Sequence, residues 1–342
     1  MRHHLRAKAP LRISFAGGGT DVPPFPEREG GCVLSATINR YAFGTLTERQ
    51  DKQIMIESLD FGLALEYGIG KPLAFDGDLD LVKAPILRMA KPDSPGFDLF
   101  LHSTAPPGTG LGSSSCMMVT MVGLLKDFYG LPLSDYEVAS TAYHVERVEL
   151  GLEGGLQDQY ASTFGGFNFI EFTADRVIVN PLRIKWDVVN ELEHNLLLCY
   201  TGATRRSDRV IADQVSRYES GEKESLDGLR IQKELAIEMK AHLLCGDLIQ
   251  FAEMMGYAWE QKKRLSPKIS TPAIDEIYAE AMKNGAIGGK VMGAGGGGYM
   301  LFYCDFRRKH RVAEALNRLG VVSSEFAFDS EGLRTWRANG TS

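Results

Sequence analysis

The chain has 342 residues, 44% hydrophobic and 24% charged, with a formal net charge of −6, a balance that suits a globular protein with one large or two medium domains. An acidic surface argues against nucleic acid or another polyanion as a general partner, so an anionic ligand must be held by local positive groups. No apolar run is long enough to span a bilayer, the basic N-terminus lacks a following apolar stretch, and five cysteines (Cys32, Cys116, Cys199, Cys245, Cys304) are scattered without a C-x-x-C pair, so a cytoplasmic protein with reduced, mostly core cysteines is expected.

In chain order, residues 11–16 read as a strand running into Gly17-Gly18-Gly19-Thr20-Asp21, a sharp turn after which Pro23 and Pro24 forbid an immediate helix. Residues 32–38, 41–47 and 53–58 are β-rich runs parted by polar breaks, which suggests an antiparallel meander. Residues 79–90 have a helical pattern. An apolar run over 97–102 reads as a buried strand, and 116–129 carries Val119, Val122, Leu125 and Phe128 at helical spacing before Gly130. Ser134-Asp135-Tyr136-Glu137 is a capping box opening a helix to about residue 149, broken by Gly151, Gly154 and Gly155. Residues 166–172 and 176–184 look like a hairpin, and 195–201 like another buried strand. Beyond it the texture turns helical: 226–244 and 247–263 read as an antiparallel pair joined at Gly246, and Thr271-Pro272 opens a helix that stops at Gly285. A strand over 299–304, a helix over 307–319 and a strand near residue 326 complete the chain. The change of texture sets an expected boundary between a first domain, 1–194, and a second, 195–342.

Three glycine-rich turns carry the candidate chemistry. Pro106-Pro107-Gly108-Thr109-Gly110-Leu111-Gly112-Ser113-Ser114-Ser115 delivers three hydroxyls to the first turn of a helix. Small residues let backbone N–H groups approach a ligand, and the helix dipole favours negative charge there, which makes a phosphate cradle; the plain alternative is a loop that only turns a strand into a helix. No lysine follows the glycines, and their G-x-G-x-G spacing is neither the Walker loop nor the dinucleotide fingerprint. At the first turn, glycines crowd Asp21, which either accepts hydrogen bonds from ligand hydroxyls or bonds its own backbone as a turn residue; Arg12, on the strand before, is otherwise a surface ion-pair partner. Gly154-Gly155-Leu156-Gln157-Asp158-Gln159 follows the helix bearing Glu146 and Glu149, making Asp158 a candidate general base or metal ligand, against the ordinary reading of a solvated acid. Lys290-Val291-Met292 leads into five glycines within six positions, 293–298, a run costly in chain entropy and so suited to close backbone contact. Thr201-Gly202-Ala203-Thr204-Arg205-Arg206-Ser207 offers hydroxyls and two arginines that suit a phosphate, or else a solvated pair at a helix start. No histidine pairs with a cysteine or carboxylate at a metal-ligand spacing, and a G-x-S-x-G elbow is absent.

The three turns, in this order and spacing, resemble the signature motifs of the GHMP kinases, small-molecule kinases acting on galactose, homoserine, mevalonate and relatives. Residues 106–115 resemble the second motif, 10–21 the sugar-binding first and 290–298 the third, so the resemblance covers essentially the whole chain. Ala16-Gly17-Gly18-Gly19-Thr20-Asp21 departs from the Gly-Glu-His-Thr-Asp of galactokinases. With Arg12, Gly155-Leu156-Gln157-Asp158-Gln159 and Tyr200-Thr201-Gly202, it is more similar to the subgroup acting on D-glycero-D-manno-heptose 7-phosphate.

The resemblance implies a two-domain α+β fold, a ribosomal-S5-like N-terminal domain and a ferredoxin-like C-terminal domain with the active site between them. It implies ATP-dependent phosphorylation of the anomeric C1 hydroxyl of the heptose 7-phosphate to the 1,7-bisphosphate, with Mg²⁺, serving GDP-heptose and capsule or surface polysaccharide synthesis. L-fucokinase-type enzymes and other sugar 1-kinases are the alternative. A non-catalytic sugar and ATP sensor is the contrasting class, which the presence of both Asp158 and Glu146 disfavours. Partners are then a sugar phosphate and ATP, without nucleic acid or membrane, and a homodimer is compatible. Residue by residue, the resemblance implies Ser114 and Glu146 as metal ligands, Asp158 as the acceptor of the attacking hydroxyl's proton and Arg12 as the cation beside it. It implies Pro107, Gly108, Gly110, Leu111, Gly112, Ser113, Ser114 and Ser115 around the nucleotide, and Gly18, Gly19, Thr20, Asp21, Gly155, Thr201, Arg205, Gly295 and Gly296 around the sugar.

Overall fold

From Ala9 to Ala16 every residue of the first strand is buried, with no alternation, so that stretch is covered on both faces. This strand, β1 (His3–Ala16), is the spine of the computed structural model, which describes residues 3–68, 74–91, 93–106, 108–203 and 207–339. After it come α1 (Phe25–Glu29), β2 (Gly31–Glu48), β3 (Gln53–Ser58), β4 (Leu63–Gly68), α2 (Asp80–Met89), β5 (Phe97–Ser103), α3 (Ser113–Phe128) and α4 (Asp135–Tyr143). A π-helical turn (His144–Glu149), α5 (Gln157–Phe164), β6 (Phe167–Phe172), β7 (Val177–Pro181), α6 (Trp186–Asn195) and β8 (Leu196–Tyr200) follow. The remainder is α7 (Ser207–Glu219), α8 (Lys223–Cys245), α9 (Leu248–Lys263), α10 (Pro272–Asn284), β9 (Ala286–Val291), β10 (Tyr299–Cys304), α11 (Lys309–Arg318), β11 (Val322–Ser324) and β12 (Arg334–Asn339).

Eight strands form the first sheet, in the order β12-β1-β2-β5-β3-β4, with β6 on the far stretch of β2 and β7 beside it. The expected meander is not what forms. The runs 32–38 and 41–47 are one strand, because the polar break at Asn39 and Arg40 sits opposite a register shift at Pro10/Leu11, where the ladder already lacks a donor. The run 53–58 does not pair with β2; it lies parallel to β5, which has come between them.

The second sheet has the order β11-β8-β10-β9. Helix α9 lies directly on β9: a Cβ at Gly288 would stand 1.9 Å from the Ala252 carbonyl, so only glycine permits this approach. The two sheets share a core in which Phe15 and Leu34 of the first join Leu198, Met239, Phe251 and Met292 of the second half. They are also pinned by Lys290, whose buried Nζ donates to the Ser14 and Phe15 carbonyls of β1 at 2.8 and 3.0 Å. Burial pushes that amine well below the usual lysine pKa. The arrangement is the expected α+β fold, and β12 returns from the far end of the chain to the first sheet. Among the described residues no helix is long and apolar enough to cross a membrane.

Candidate active site

The glycine-rich turns converge on a cavity of about 700 Å³ between the two sheets. Its back wall is the N-terminus of α3, where Gly112 is the N-cap and no side chain caps the first turn, so the N–H groups of Ser113, Ser114 and Ser115 have no intrahelical partner. A 16-residue helix that ends bare on a cavity is a site for anionic oxygens. The second and third turns interlock: Gly110, at φ +84°, would carry a Cβ only 2.5 Å from the Met292 carbonyl, and the Tyr299 N–H donates to Thr109 O at 2.9 Å.

Across from the helix terminus, Arg12 is buried rather than at the surface. Its Nε donates to Asp158 Oδ1 at 2.7 Å, its Nη2 lies 2.6 Å from the same oxygen, and its Nη1 donates to Gly110 O at 2.7 Å. Asp158, in the first turn of α5, touches Gly112: a Cβ there would lie 3.2 Å from the carboxylate. Strand β1 is thus hydrogen-bonded to both the 106–115 loop and α5, and the loop packs on α5 at Gly112.

Asp21 is buried and already well supplied with donors: the Gly19 N–H at 3.1 Å, the Gln157 N–H at 3.2 Å and Gln157 Nε2 at 3.1 Å. Burial is the main force raising its pKa, reinforced by the negative charge of Asp158 and opposed by the backbone donors. Gly155 packs on this carboxylate, since a Cβ would fall 1.9 Å from Oδ2.

Glu146 lies in the π-helical turn, wholly buried. Its Oε1 accepts from Ser114 Oγ at 2.7 Å, and its Oε2 from Gln159 Nε2 at 2.7 Å. Glu149, one turn on, faces away and pairs with Arg88 at 2.6 Å. No group of three or more His, Cys, Asp or Glu side chains could hold a metal among the described residues. A hydroxyl and one buried carboxylate beside an anion-binding helix terminus fit a small, oxygen-seeking dication whose other positions are filled by phosphate and water.

Gly19, Gly155, Gly295, Gly108, Gly110, Gly112 and the three serines all line the cavity. Thr20, Leu111, Thr201 and Gly296 do not. The Thr20 hydroxyl is engaged with Gly17 O and Cys32 O, Leu111 uses its carbonyl to hold the Arg12 N–H, Thr201 Oγ1 donates to Gly298 O, and the Gly296 N–H to Ile269 O. Gly18 lies just behind the lining, against Lys262 and Ser14. Pro107 and Arg205 lie outside the described residues. Sequence reasoning missed the contribution of α7, whose Asp208, Ile211 and Gln214 line the cavity, with Gln214 Nε2 donating to Gly19 O at 3.2 Å. It also missed Arg147 and Lys262. The spacing of 208, 211 and 214 on one helical face was the available signal.

Comparison with known proteins gives matches over nearly the whole chain. Residues 80–166 match the model for the GHMP kinases N terminal domain, and residues 235–322 the model for GHMP kinases C terminal. The chain is 39% identical over 337 residues to the D-glycero-alpha-D-manno-heptose 7-phosphate kinase of Campylobacter jejuni, covering 97% of this chain and 99% of that one. It is 29% identical over 324 residues to the L-fucokinase/L-fucose-1-P guanylyltransferase of Bacteroides fragilis, covering 86% of this chain and 34% of that one. The crystal structure of a D-glycero-D-manno-heptose 1-phosphate kinase from Bacteroides thetaiotaomicron superposes with a TM-score of 0.83 at 36% identity, covering 98% of this chain and 100% of that one.

Proposed function

This chain belongs to the GHMP kinase family, and from that premise we propose that it transfers the γ-phosphoryl group of ATP to the anomeric C1 hydroxyl of D-glycero-D-manno-heptose 7-phosphate. The products are the 1,7-bisphosphate and ADP. The observation that carries the reading is the Arg12–Asp158 pair set against the bare terminus of α3, an acid and a cation facing a phosphate cradle across one cavity. Phosphoryl transfer asks for little else: in-line positioning, a place for the hydroxyl's proton and neutralisation of charge on the moving group.

The geometry supports a set of roles. The N–H groups of the 108–115 loop hold the nucleotide phosphates. Asp158 takes the proton of the C1 hydroxyl as its oxygen bonds to phosphorus and the bond from phosphorus to the ADP oxygen breaks. Arg12 fixes the direction of the Asp158 carboxylate by its two contacts to Oδ1. A sugar hydroxyl at Asp21 takes the place that Gln157 Nε2 holds here. Ser114 and Glu146 would hold Mg²⁺, which when bound neutralises phosphate charge. Glu146→Gln should therefore raise the Mg²⁺ concentration needed for half-maximal activity by about tenfold or more, and lower kcat. Glu149→Gln, which removes the charge facing Arg88 and His144, should leave the magnesium titration unchanged; the reverse pattern would reassign the metal acid.

Coupled ADP release measured with heptose 7-phosphate, mannose, fucose and galactose tests the substrate. A kcat/KM highest for fucose would replace this reading with the L-fucokinase-like one. For the substrate's own phosphate we propose Arg205, from its place in the sequence between β8 and α7. Arg205→Ala should raise KM for heptose 7-phosphate about tenfold, the loss of one charge-assisted contact, with KM for ATP nearly constant. An equal loss with an unphosphorylated sugar would take the phosphate contact away from Arg205.

A further inference from the structure

A lysine from the second half of the molecule stands where the three glycine turns meet. Lys262, in the last turn of α9, is 5% exposed, and its Nζ donates to the Gly293 carbonyl of the third turn at 2.5 Å. A Cβ at Gly18 of the first turn would lie 3.4 Å from that nitrogen, and Gly293 in turn abuts Gly110 of the second turn, where a Cβ would be 2.8 Å from the Gly110 Cα. We propose that Lys262 is a catalytic residue of the transfer, its ammonium contacting the phosphoryl group as that group passes from nucleotide to acceptor.

Three cationic side chains line the cavity among the described residues, and they are committed to different degrees. Arg12 spends its hydrogen bonds on Asp158 and Gly110 O. Arg147 straps the neighbouring loop, donating to Ser115 Oγ at 3.1 Å and to the Leu152 and Glu153 carbonyls at 3.4 and 3.3 Å. Lys262 makes one hydrogen bond, leaving two of its three N–H donors for a ligand.

An ammonium buried with a single carbonyl partner is costly unless something else compensates it. Lys290 shows the contrasting case, equally buried but donating to two β1 carbonyls, which is a structural tie. A phosphoryl group in flight spreads its negative charge over three oxygens, and a fixed cation already in place beside it stabilises that charge without reorganisation. Arg12 of β1, Asp21 of the first turn, Asp158 of α5 and Lys290 of β9 are the charged groups facing Lys262. Burial pulls its pKa down to about 8, against Asp21 and Asp158 and with the help of Arg12. The ammonium form is thus present at neutral pH and lost as pH rises through that value.

The inference rests on the kinase reading above but not on the identity of the sugar. In the transfer the bond from phosphorus to the ADP oxygen breaks, a bond from phosphorus to the acceptor oxygen forms, and the acceptor's proton goes to Asp158; Lys262 gains and loses no atom. The test is Lys262→Met beside Lys262→Arg, with circular dichroism and thermal unfolding to establish that both fold. Lys262→Met should lower kcat about a hundredfold to a thousandfold, with KM for ATP and for the sugar within about threefold. Lys262→Arg should recover at least about a tenth of the activity. In the wild type kcat/KM should fall above pH 8; in Lys262→Arg that alkaline fall should move to higher pH, because a guanidinium keeps its charge. The slow hydrolysis of ATP without sugar should drop in Lys262→Met as well, since water then accepts the same group. A folded Lys262→Met that keeps kcat within about fivefold, or a loss confined to one KM, would overturn the proposal. Wild-type activity on another sugar would overturn the substrate assignment alone, and the ATP hydrolysis rates would still decide the role of Lys262.

Discussion

Asp158→Asn should lower kcat by about two orders of magnitude or more while ATP affinity stays within about threefold. The substitution preserves shape, and an amide oxygen can still accept from Arg12 at the position now 2.7 Å from Nε. What it removes is the capacity to take a proton, together with the negative charge that faces the guanidinium. The uncapped turn of α3 keeps its backbone donors, since the substitution preserves the shape that packs on Gly112. Steady-state kinetics with isothermal titration of a non-hydrolysable ATP analogue separates the two effects. Turnover within about tenfold of wild type in a folded variant would exclude Asp158 as the proton acceptor.

Gly155→Ala should be nearly as damaging to turnover through a purely geometric route. Its added methyl would stand 1.9 Å from Asp21 Oδ2 and 3.1 Å from the Asp21 carbonyl. The carboxylate cannot simply swing away, because Gly19 and Gln157 hold both of its oxygens. The 150–157 loop must move instead, and it leads directly into Asp158. We expect a kcat loss of about a hundredfold, since ångström-scale misplacement costs that much, and a stability loss of about 1–3 kcal/mol from overpacking. Gly154→Ala is the useful comparison: its methyl meets the end of the Arg147 side chain, 2.2 Å from the guanidinium carbon, so relief costs the hydrogen bonds of one long, flexible side chain and leaves the Asp21 carboxylate in place. Chemical denaturation and kinetics on both variants check the contrast. Equal, mild effects would mean that the loop is softer than its packing implies.

Much of this is legible in the chain alone. The three serines do open a helix, the 134–137 capping box forms, and the α8–α9 pair turns at Gly246 in the left-handed region. These features are local, fixed by caps, periodicity and glycine. Strand partners are not legible, because pairing depends on what the chain does far away; 53–58 reads as the next strand of a meander, yet β5 takes the place beside β2. Side chains that reach the cavity from afar escape notice for the same reason. Lys262 sits among Gln261, Lys263 and Arg264, where it reads as one more solvated charge, and its burial against the first and third turns shows only in the fold. Arg12 and Asp158 are 146 positions apart, so spacing is silent about their union and only the family resemblance points to it.

The return of β12 to the first sheet bears on how the molecule folds. His3 pairs with Asn339 and Lys8 with Arg334, so the outer edge of β1 stays open until residues 334–339 have been synthesised. An unpaired strand edge invites intermolecular pairing, and contacts of such long sequence separation form slowly. The segment also braces α3: Leu333 fills the space above Gly123, and Thr335 Oγ1 donates to Asp127. Nascent chains therefore hold the cradle helix and the strand bearing Arg12 without their final support, and both gain it in one late docking event that couples protection from aggregation to completion of the active site.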